Sequence, residues 1–446
     1  MLMADPSRVV LERELDVLED ADVVVCGGGP AGLAASVSSA RAGARTLLVE
    51  RYGFLGGNFT AASVGTLCGL YLPTGAGFDF AVAGFAKEIS ESLARAGAAM
   101  GPVPFKETAV LLYVPWAAKR LGDHFATETE NLKVLMHCRV SDAVLEQTSK
   151  GDSSRIHAVV LSTKRGLVAV RGKVFVDATG DADLAYYCGV PTEIGPPGSR
   201  QFASMQFFVQ NADPGKALPA IQRLGEIIAE HGSHLTRDSG ALIPTGRPGE
   251  FIGAMTRVGR DGKPLDATDP FDQTYGEIKG REIVEETFDF VKKHVPGFEK
   301  AFLQDTPAQL GIRESRRVRG SFVLDKQHLL EATKFYDAIA TGAWPFEYHV
   351  EGRSTVMEFL PPGHLYSIPY RVLVPGNPDN LLVAGRCISA THDALASTRV
   401  MAPCMALGQA AGVAAALAVQ SQSSVVDVPV QDLKSALAAQ GALIPE

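Results

Sequence analysis

The run Val23-Val24-Val25-Cys26-Gly27-Gly28-Gly29-Pro30-Ala31-Gly32, completed by Leu47-Leu48-Val49-Glu50, constrains this chain more than any other feature. Apolar β-branched residues, a tight glycine turn, an Ala/Leu-rich stretch and a second apolar run ending in an acid spell strand, turn, helix, strand. That order suits a dinucleotide. Gly27 turns the chain off the first strand, Gly29 leaves the pyrophosphate unobstructed, and Gly32 permits close helix–strand packing. The pyrophosphate then rests on a helix N-terminus, where free N–H groups and the helix dipole stabilise an anion without a lysine. Glu50 can accept hydrogen bonds from both ribose hydroxyls, and its charge disfavours a 2′-phosphate.

The chain has 446 residues, 46% of them hydrophobic and 21% charged, enough apolar material for two or more cores. A formal net charge of -8 and the lack of a long basic run argue against nucleic acid as a partner. The first eight residues lack a secretory pattern, and no later apolar run is expected to span a bilayer, so a cytoplasmic location is the expectation. The six cysteines, at 26, 68, 138, 188, 387 and 404, are scattered without metal-ligand spacing, so reduced thiols and no bound metal are expected.

Leu11, Leu15 and Leu18 suggest an N-terminal helix leading into the first strand. Helical periodicity recurs over 81–97 and 115–130, and 132–140 reads as one strand. Residues 143–170 suggest a small antiparallel meander with a turn at 150–153. Residues 173–180 form a buried strand entering a second glycine turn. From about 191 the character changes: polar strands over 202–209, a Pro/Gly/Asp-rich stretch at 246–270, an acidic helix over 275–294 and an arginine cluster. The first pattern resumes at Asn380, with a long helix from Pro403 to about Val419.

Taken together, GGGPAGLAAS, VERYGFLGGN, VDATGDADLA, GIRESRRVRG, SIPYRVLVP and LLVAGRCISATHDALASTRVMAPCMALGQAAG resemble the FAD-dependent oxidoreductases of the glutathione-reductase-like fold. More narrowly, the chain is similar to bacterial flavoproteins distantly related to the flavoprotein subunits of succinate dehydrogenase and fumarate reductase. The resemblance implies an α/β protein: a Rossmann-like FAD-binding domain, with a parallel sheet plus β-meander, at 1–190 and 363–446, and an inserted α+β substrate domain at 191–362. It implies FAD contacts at Gly27, Gly29, Pro30, Ala31, Gly32, Glu50, Arg51, Gly56, Gly57, Asn58, Val140, Ala178, Thr179, Gly180, Asp181, Gly385, Arg386 and Met405. Pro403 suits a first helical position whose N-terminus faces the flavin. Arg386 stands where the family places an acid. Residues 58–62 contain no histidine for covalent attachment, so the FAD is expected to be non-covalent.

Flavin does the hydride chemistry, leaving the protein to orient the substrate and handle a proton. His392 reads either as the acid/base or as a structural histidine, and Arg399 as an anion clamp or a loop tie. In the 313–319 cluster, a strand would put Arg313 and Arg317 on one face, as a carboxylate-binding pair or a salt-bridge network. His364, Tyr366 and Tyr370 read as pocket lining or core, residues 344–349 as an aromatic lid or core, and Cys404 as a low-pKa thiol or packing. The function expected is hydride transfer between flavin N5 and a small organic substrate across a C–C, C–N or C–O bond. Oxygen, a quinone, NAD(P)H and a redox protein stay open as the electron partner. A flavin-dependent isomerase or cyclase and an FAD-holding subunit of a redox complex are the alternatives.

Overall fold

The computed structural model describes residues 9, 11–147, 154–195, 200–350 and 352–445. Its main sheet has seven strands: β1 (Val17–Cys26), β2 (Thr46–Val49), β3 (Leu132–Leu135), β4 (Arg139–Gln147), β5 (Ser154–Thr163), β6 (Gly166–Asp177) and β7 (Leu381–Val383). They run in the order β3-β2-β1-β6-β5-β4, and β7 pairs with the end of β6. Neighbours among β3, β2, β1, β6 and β7 are parallel, whereas β4, β5 and the start of β6 form an antiparallel meander. β6 therefore serves both layers.

The link between β3 and β4 shapes the cleft described below. Those strands stand at opposite ends of the order, roughly 24 Å apart if the sheet were flat. Residues 136–138 can reach only about 14 Å between flanking Cα atoms. The meander must therefore curl back over the parallel strands. His137, at φ 55°, makes the turn, which is why the single strand expected over 132–140 is two.

Helix α1 (Pro30–Arg41) packs between the sheet and helix α4 (Met401–Ser421). A Cβ on Gly32 would lie 1.7 Å from the Gly27 carbonyl oxygen. One on Gly408 would lie 2.0 Å from that of Ala31, and one on Gly412 2.1 Å from that of Ala35. The two helices thus touch backbone to backbone. Contrary to the expectation that no apolar run could span a bilayer, α4 is long and apolar enough to do so. However, 89% of its most apolar window is buried, as in a core helix.

A second core, from Ala203 to Leu310, lies between helix α2 (Pro270–His294) and a four-stranded antiparallel sheet of residues 241–244, 251–254, 207–210 and 302–305, in that order. Residues 318–360 supply Val318, Leu324, Ile339 and Phe346 to the first core instead. A smaller cluster, with Val110, Leu112, Ile243, Ile252, Trp344 and Val400, joins the two.

Several elements differ from expectation. Residues 11–16 are irregular rather than helical, because pairing of Val17 with Ala169 on β6 starts the strand there. The strand expected at 202 begins at Phe207. Helix α2 starts five residues earlier than expected, at Pro270, because the Asp269 side chain accepts from the amides of Phe271 and Asp272 at 2.8 Å. Pro403 is the third residue of α4, not its first. The expected turn at 150–153 lies outside the described residues.

Substituting Gly412→Ala forces α1 and α4 apart. We expect a loss of about 1–3 kcal/mol, read as a lower denaturant midpoint with an unchanged slope.

Candidate functional site

The glycine turn, the end of β2, the β3–β4 link, the end of β6 and the start of α4 meet at one cleft of about 390 Å³. Its wall includes Gly27, Gly29, Pro30, Ala31, Glu50, Arg51, Gly57, Asn58, Val140, Ala178, Thr179, Gly180, Asp181, Gly385 and Arg386, together with Arg399. Three of the expected cofactor residues lie elsewhere. Gly32 sits beneath the turn against Gly27. Gly56 is a left-handed residue packed on Thr60, preceding the short turn that carries Gly57 and Asn58. Met405 is fully buried, and Met401 and Cys404 take the cleft face of α4.

The wall fits an anionic dinucleotide. No side chain caps the N-terminus of α1 and no acid occupies its first turn, so its leading amides are free for a phosphate. A Cβ on Gly29 would meet only the Gly57 Cα, at 3.9 Å. Glu50 accepts from the Gly28 amide at 2.7 Å and the Tyr52 amide at 2.9 Å, which fixes its carboxylate while lone pairs remain. Burial pushes that carboxyl up, although the Tyr52 and Gly28 amides and the charge of Arg51 oppose the shift.

On the opposite wall, Asp177 ends β6 fully buried. It accepts from the Thr179 amide at 3.0 Å, the Thr179 hydroxyl at 2.7 Å and the Ala185 amide at 2.9 Å, holding the second glycine turn. Burial still pushes its carboxyl up to about 6. Arg386 donates to the Gly180 carbonyl at 2.9 Å and to Asp181 at 2.6 Å, and also reaches the Ile312 carbonyl. The arginine standing where the family motif has an acid thus finds that acid in the other loop.

Sequence reasoning missed the contribution of the middle segment, including Gln273, Glu277, Gln309, Leu310 and Ile312. Gln309 accepts from Arg51 at 2.7 Å and from the Tyr52 hydroxyl, and donates to Asn58 at 3.3 Å. No local pattern marks these residues, which reach the wall only by long-range packing.

The expected catalytic residues divide. Arg399 lines the cleft and donates to Gln201 Oε1 at 3.0 Å and the Glu347 carbonyl at 3.2 Å; its ion pair with Glu347 is 3.6 Å. His392, the first residue of the short helix α3 (His392–Thr398), does not reach the cleft wall; it stands behind Arg399, with Nδ1 2.8 and 2.9 Å from the two oxygens of Glu314. Glu314 also accepts from the Gln201 amide at 3.0 Å and pairs with Arg317 at 2.5 Å. Gln201 therefore ties the His392–Glu314 pair to Arg399.

The proposed strand over the arginine cluster does not form. Only Arg317–Val318 is strand, so Arg317 faces Glu314 and Glu193 rather than sharing a face with Arg313. Arg313 instead points to the Phe202 carbonyl and Ser204. Tyr366 is fully buried, its hydroxyl 2.7 Å from Ser397 Oγ, and it does not reach the cleft wall. His364 and Tyr370 bond the Leu329 and Val425 carbonyls, at 2.8 and 2.7 Å. Trp344, Phe346 and His349 are buried rather than lid-like. Burial raises the Cys404 thiol to about 12, the opposite of activation.

Comparison with known proteins fits this site. Residues 22–437 match the family of FAD dependent oxidoreductases, and the chain belongs to that family. It is a flavin-dependent oxidoreductase whose cofactor is FAD. No curated protein matches it. Among solved structures it is similar to a geranylgeranyl bacteriochlorophyll reductase-like protein from Thermoplasma acidophilum, at 14% identity over 94% of this chain and 83% of that one, with a TM-score of 0.46. It is also similar to a p-nitrophenol 4-monooxygenase from Pseudomonas putida DLL-E4, at 13% identity over 95% and 89%, with a TM-score of 0.49.

Because Asp177 binds its proton more tightly in the folded chain than at the ordinary value of 3.8, the folded state holds more protons between those two values. Stability contributed by this group is therefore present at low pH and lost as pH rises towards about 6. We expect the denaturant midpoint to fall less over that window in Asp177→Asn than in the parent, as chemical denaturation at a series of pH values would show.

Proposed function

We propose that the protein transfers a hydride between flavin N5 and a small organic substrate, with FAD held along the cleft by the α1 N-terminus, Glu50 and the Gly180-Asp181 turn. The observation that carries this reading is Arg399, a buried cation that lines the cleft beside α4 and is joined through Gln201 to a histidine–carboxylate pair. Flavin supplies the hydride chemistry. The chain's part is to orient the substrate, exclude water and manage a proton.

Arg399 orients the substrate in this reading, and residues 191–362 furnish its side of the pocket. His392, behind Arg399 rather than on the wall itself, handles the proton. Its Nδ1 is occupied by Glu314, which fixes the ring and leaves Nε2 to give or take a proton. Within the family, we read the chain as one of the glutathione-reductase-like flavoproteins distantly related to those of succinate dehydrogenase and fumarate reductase. Support comes from five of the six quoted motifs, all but SIPYRVLVP, which converge on one cleft although the first and last are hundreds of residues apart in the chain.

The FAD is held without a covalent bond. The loop after Gly57 offers no histidine, and burial raises the thiols of Cys138 and Cys404, the cysteines on the wall. Acid precipitation should leave all the flavin in the supernatant; flavin retained in the pellet would refute this.

The main test is anaerobic titration of the holoenzyme with small acids, amines and alcohols while following the flavin bands. Bleaching by one class supports a dehydrogenase or oxidase half-reaction. Bleaching by NADH or NADPH alone points to a reductase, and turnover with no electron acceptor would favour an isomerase. Once a reducing substrate is found, His392→Asn should slow flavin reduction by about 10²-fold or more and flatten its pH profile, with FAD content unchanged. An unaltered rate and profile would make His392 structural.

A further inference from the structure

A second cavity, of about 410 Å³, shares none of its wall residues with the FAD cleft. It opens between the end of the helix Phe85–Arg95, one face of the helix Pro115–Glu128 and the loop at 245–247, which joins two strands of the four-stranded sheet. Its volume is that of a small-molecule site. Leu93, Ala98, Val114 and Leu121 make much of the wall apolar. Trp116 stands on that wall with 63% of its surface exposed, whereas the chain's other tryptophan, Trp344, is 1% exposed in the core. Most of the Trp116 indole is therefore left for a ligand to cover.

The charge on this wall has one sign. Arg120, His124 and Arg247 line it, and among the described residues no aspartate or glutamate does. Each arginine has a carboxylate partner off the wall and keeps donors to spare, since a guanidinium carries five N–H groups. Arg120 pairs with Asp123 at 2.9 Å through one nitrogen. Arg247 lies 3.6 Å from Glu250, whose other oxygen accepts from the Thr245 hydroxyl at 2.7 Å. The helix Pro115–Glu128 adds to the same sign: no side chain caps its N-terminus and no acid stands in its first turn, where Trp116 and Ala117 line the cavity. At the facing helix end the carbonyls of Ser92, Ala94 and Leu93 are occupied, accepting from the amides of Ala96, Gly97 and Ala98 at 3.1, 2.9 and 2.8 Å.

We propose that this cavity binds a small aromatic anion, its ring laid on the Trp116 indole and its carboxylate or phosphate held by Arg120 and Arg247. The occupant follows from an exposed aromatic face set beside guanidinium donors: the face takes a flat ring, and the forked donors take two oxygens of an anionic head. The site is separate from the FAD cleft and stands whether or not the hydride-transfer reading holds. Trp116 and Arg120 belong to a helix packed on the first core through Ala118 and Phe125, and Arg247 to a loop of the second core's sheet, so the ligand bridges the two units.

The test uses the FAD-loaded protein and reads the heat of binding, with the flavin bands recorded alongside. Sodium phenylacetate and phenyl phosphate are the anionic probes. Phenylacetamide, which keeps the ring and loses the charge, and sodium cyclohexylacetate, which keeps the charge and loses the flat ring, are the comparisons. At least one of the two anions should bind saturably, one per chain, about tenfold or more tighter than either comparison and without shifting the flavin bands; the tighter of the two names the head group. Trp116→Ala and Arg247→Gln, both changes of exposed side chains, should each weaken that binding about tenfold with FAD content unchanged. No saturable binding of either anion, or binding no tighter than that of the comparisons, would overturn the proposal without any variant having to fold. Binding that either variant leaves unchanged would overturn it as well, because the anion then sits elsewhere.

Discussion

The contact on which the rest of the structure depends is the backbone-to-backbone seat of α1. It is pressed on one side against the Gly27 turn and on the other against α4, with Gly32, Gly408 and Gly412 at the points where a methyl group would strike a carbonyl oxygen. Gly408 meets α1 at Ala31, a residue that also lines the cleft. The crossing therefore lies directly under the site. It brings the first turns of two helices, with Pro30 and Ala31 on one and Met401 and Cys404 on the other, onto the same wall. Both helix dipoles then present their positive ends to that cleft.

Once the helices are seated, polar groups lock the loops around them. Asp177 immobilises the second glycine turn, and Arg386 fastens that turn to the segment after β7. The Arg386–Asp181 pair performs across two loops what the family motif does within one, leaving the cleft wall with balanced charge at that point. Glu50 serves the first glycine turn in the same way, through Gly28. In each case a short acid accepts backbone amides and so fixes the shape of a loop that must face a ligand.

The first half of this design is legible in the sequence because it is local. The strand, glycine turn, helix and acid lie within Val23 to Glu50, where Gly32 meets Gly27 and Glu50 meets Gly28; only the backing by Ala178 comes from far along the chain. The meander was legible too, since strand alternation and polar turns are short-range signals. What could not be read was set by distant contacts. Gln309 reaches Arg51 across 258 positions, and Glu314 reaches His392 across 78. The arginine cluster misled for a related reason. Alternation assumes a strand, but the ion pair of Glu314 with Arg317, three residues apart, bends the segment so that the two side chains meet. Pro403 was misplaced by two residues because proline is tolerated anywhere in the first helical turn, where no amide partner is lost.

The junction between the two cores carries the last step of the argument. Gln201, just before the second core, donates its amide to Glu314 and accepts from Arg399, while Arg313 crosses back to Phe202 and Ser204. A junction serving stability alone would be apolar, since well-packed hydrophobic residues commonly equal or exceed buried ion pairs in stability. The apolar cluster around Trp344 and Val400 already joins the cores in that way. The buried charges beside it are thus not needed to hold the cores together. Through Gln201 they tie Arg399, which lines the cleft, to the His392–Glu314 pair, so the seam between the two cores also fixes one wall of the FAD cleft.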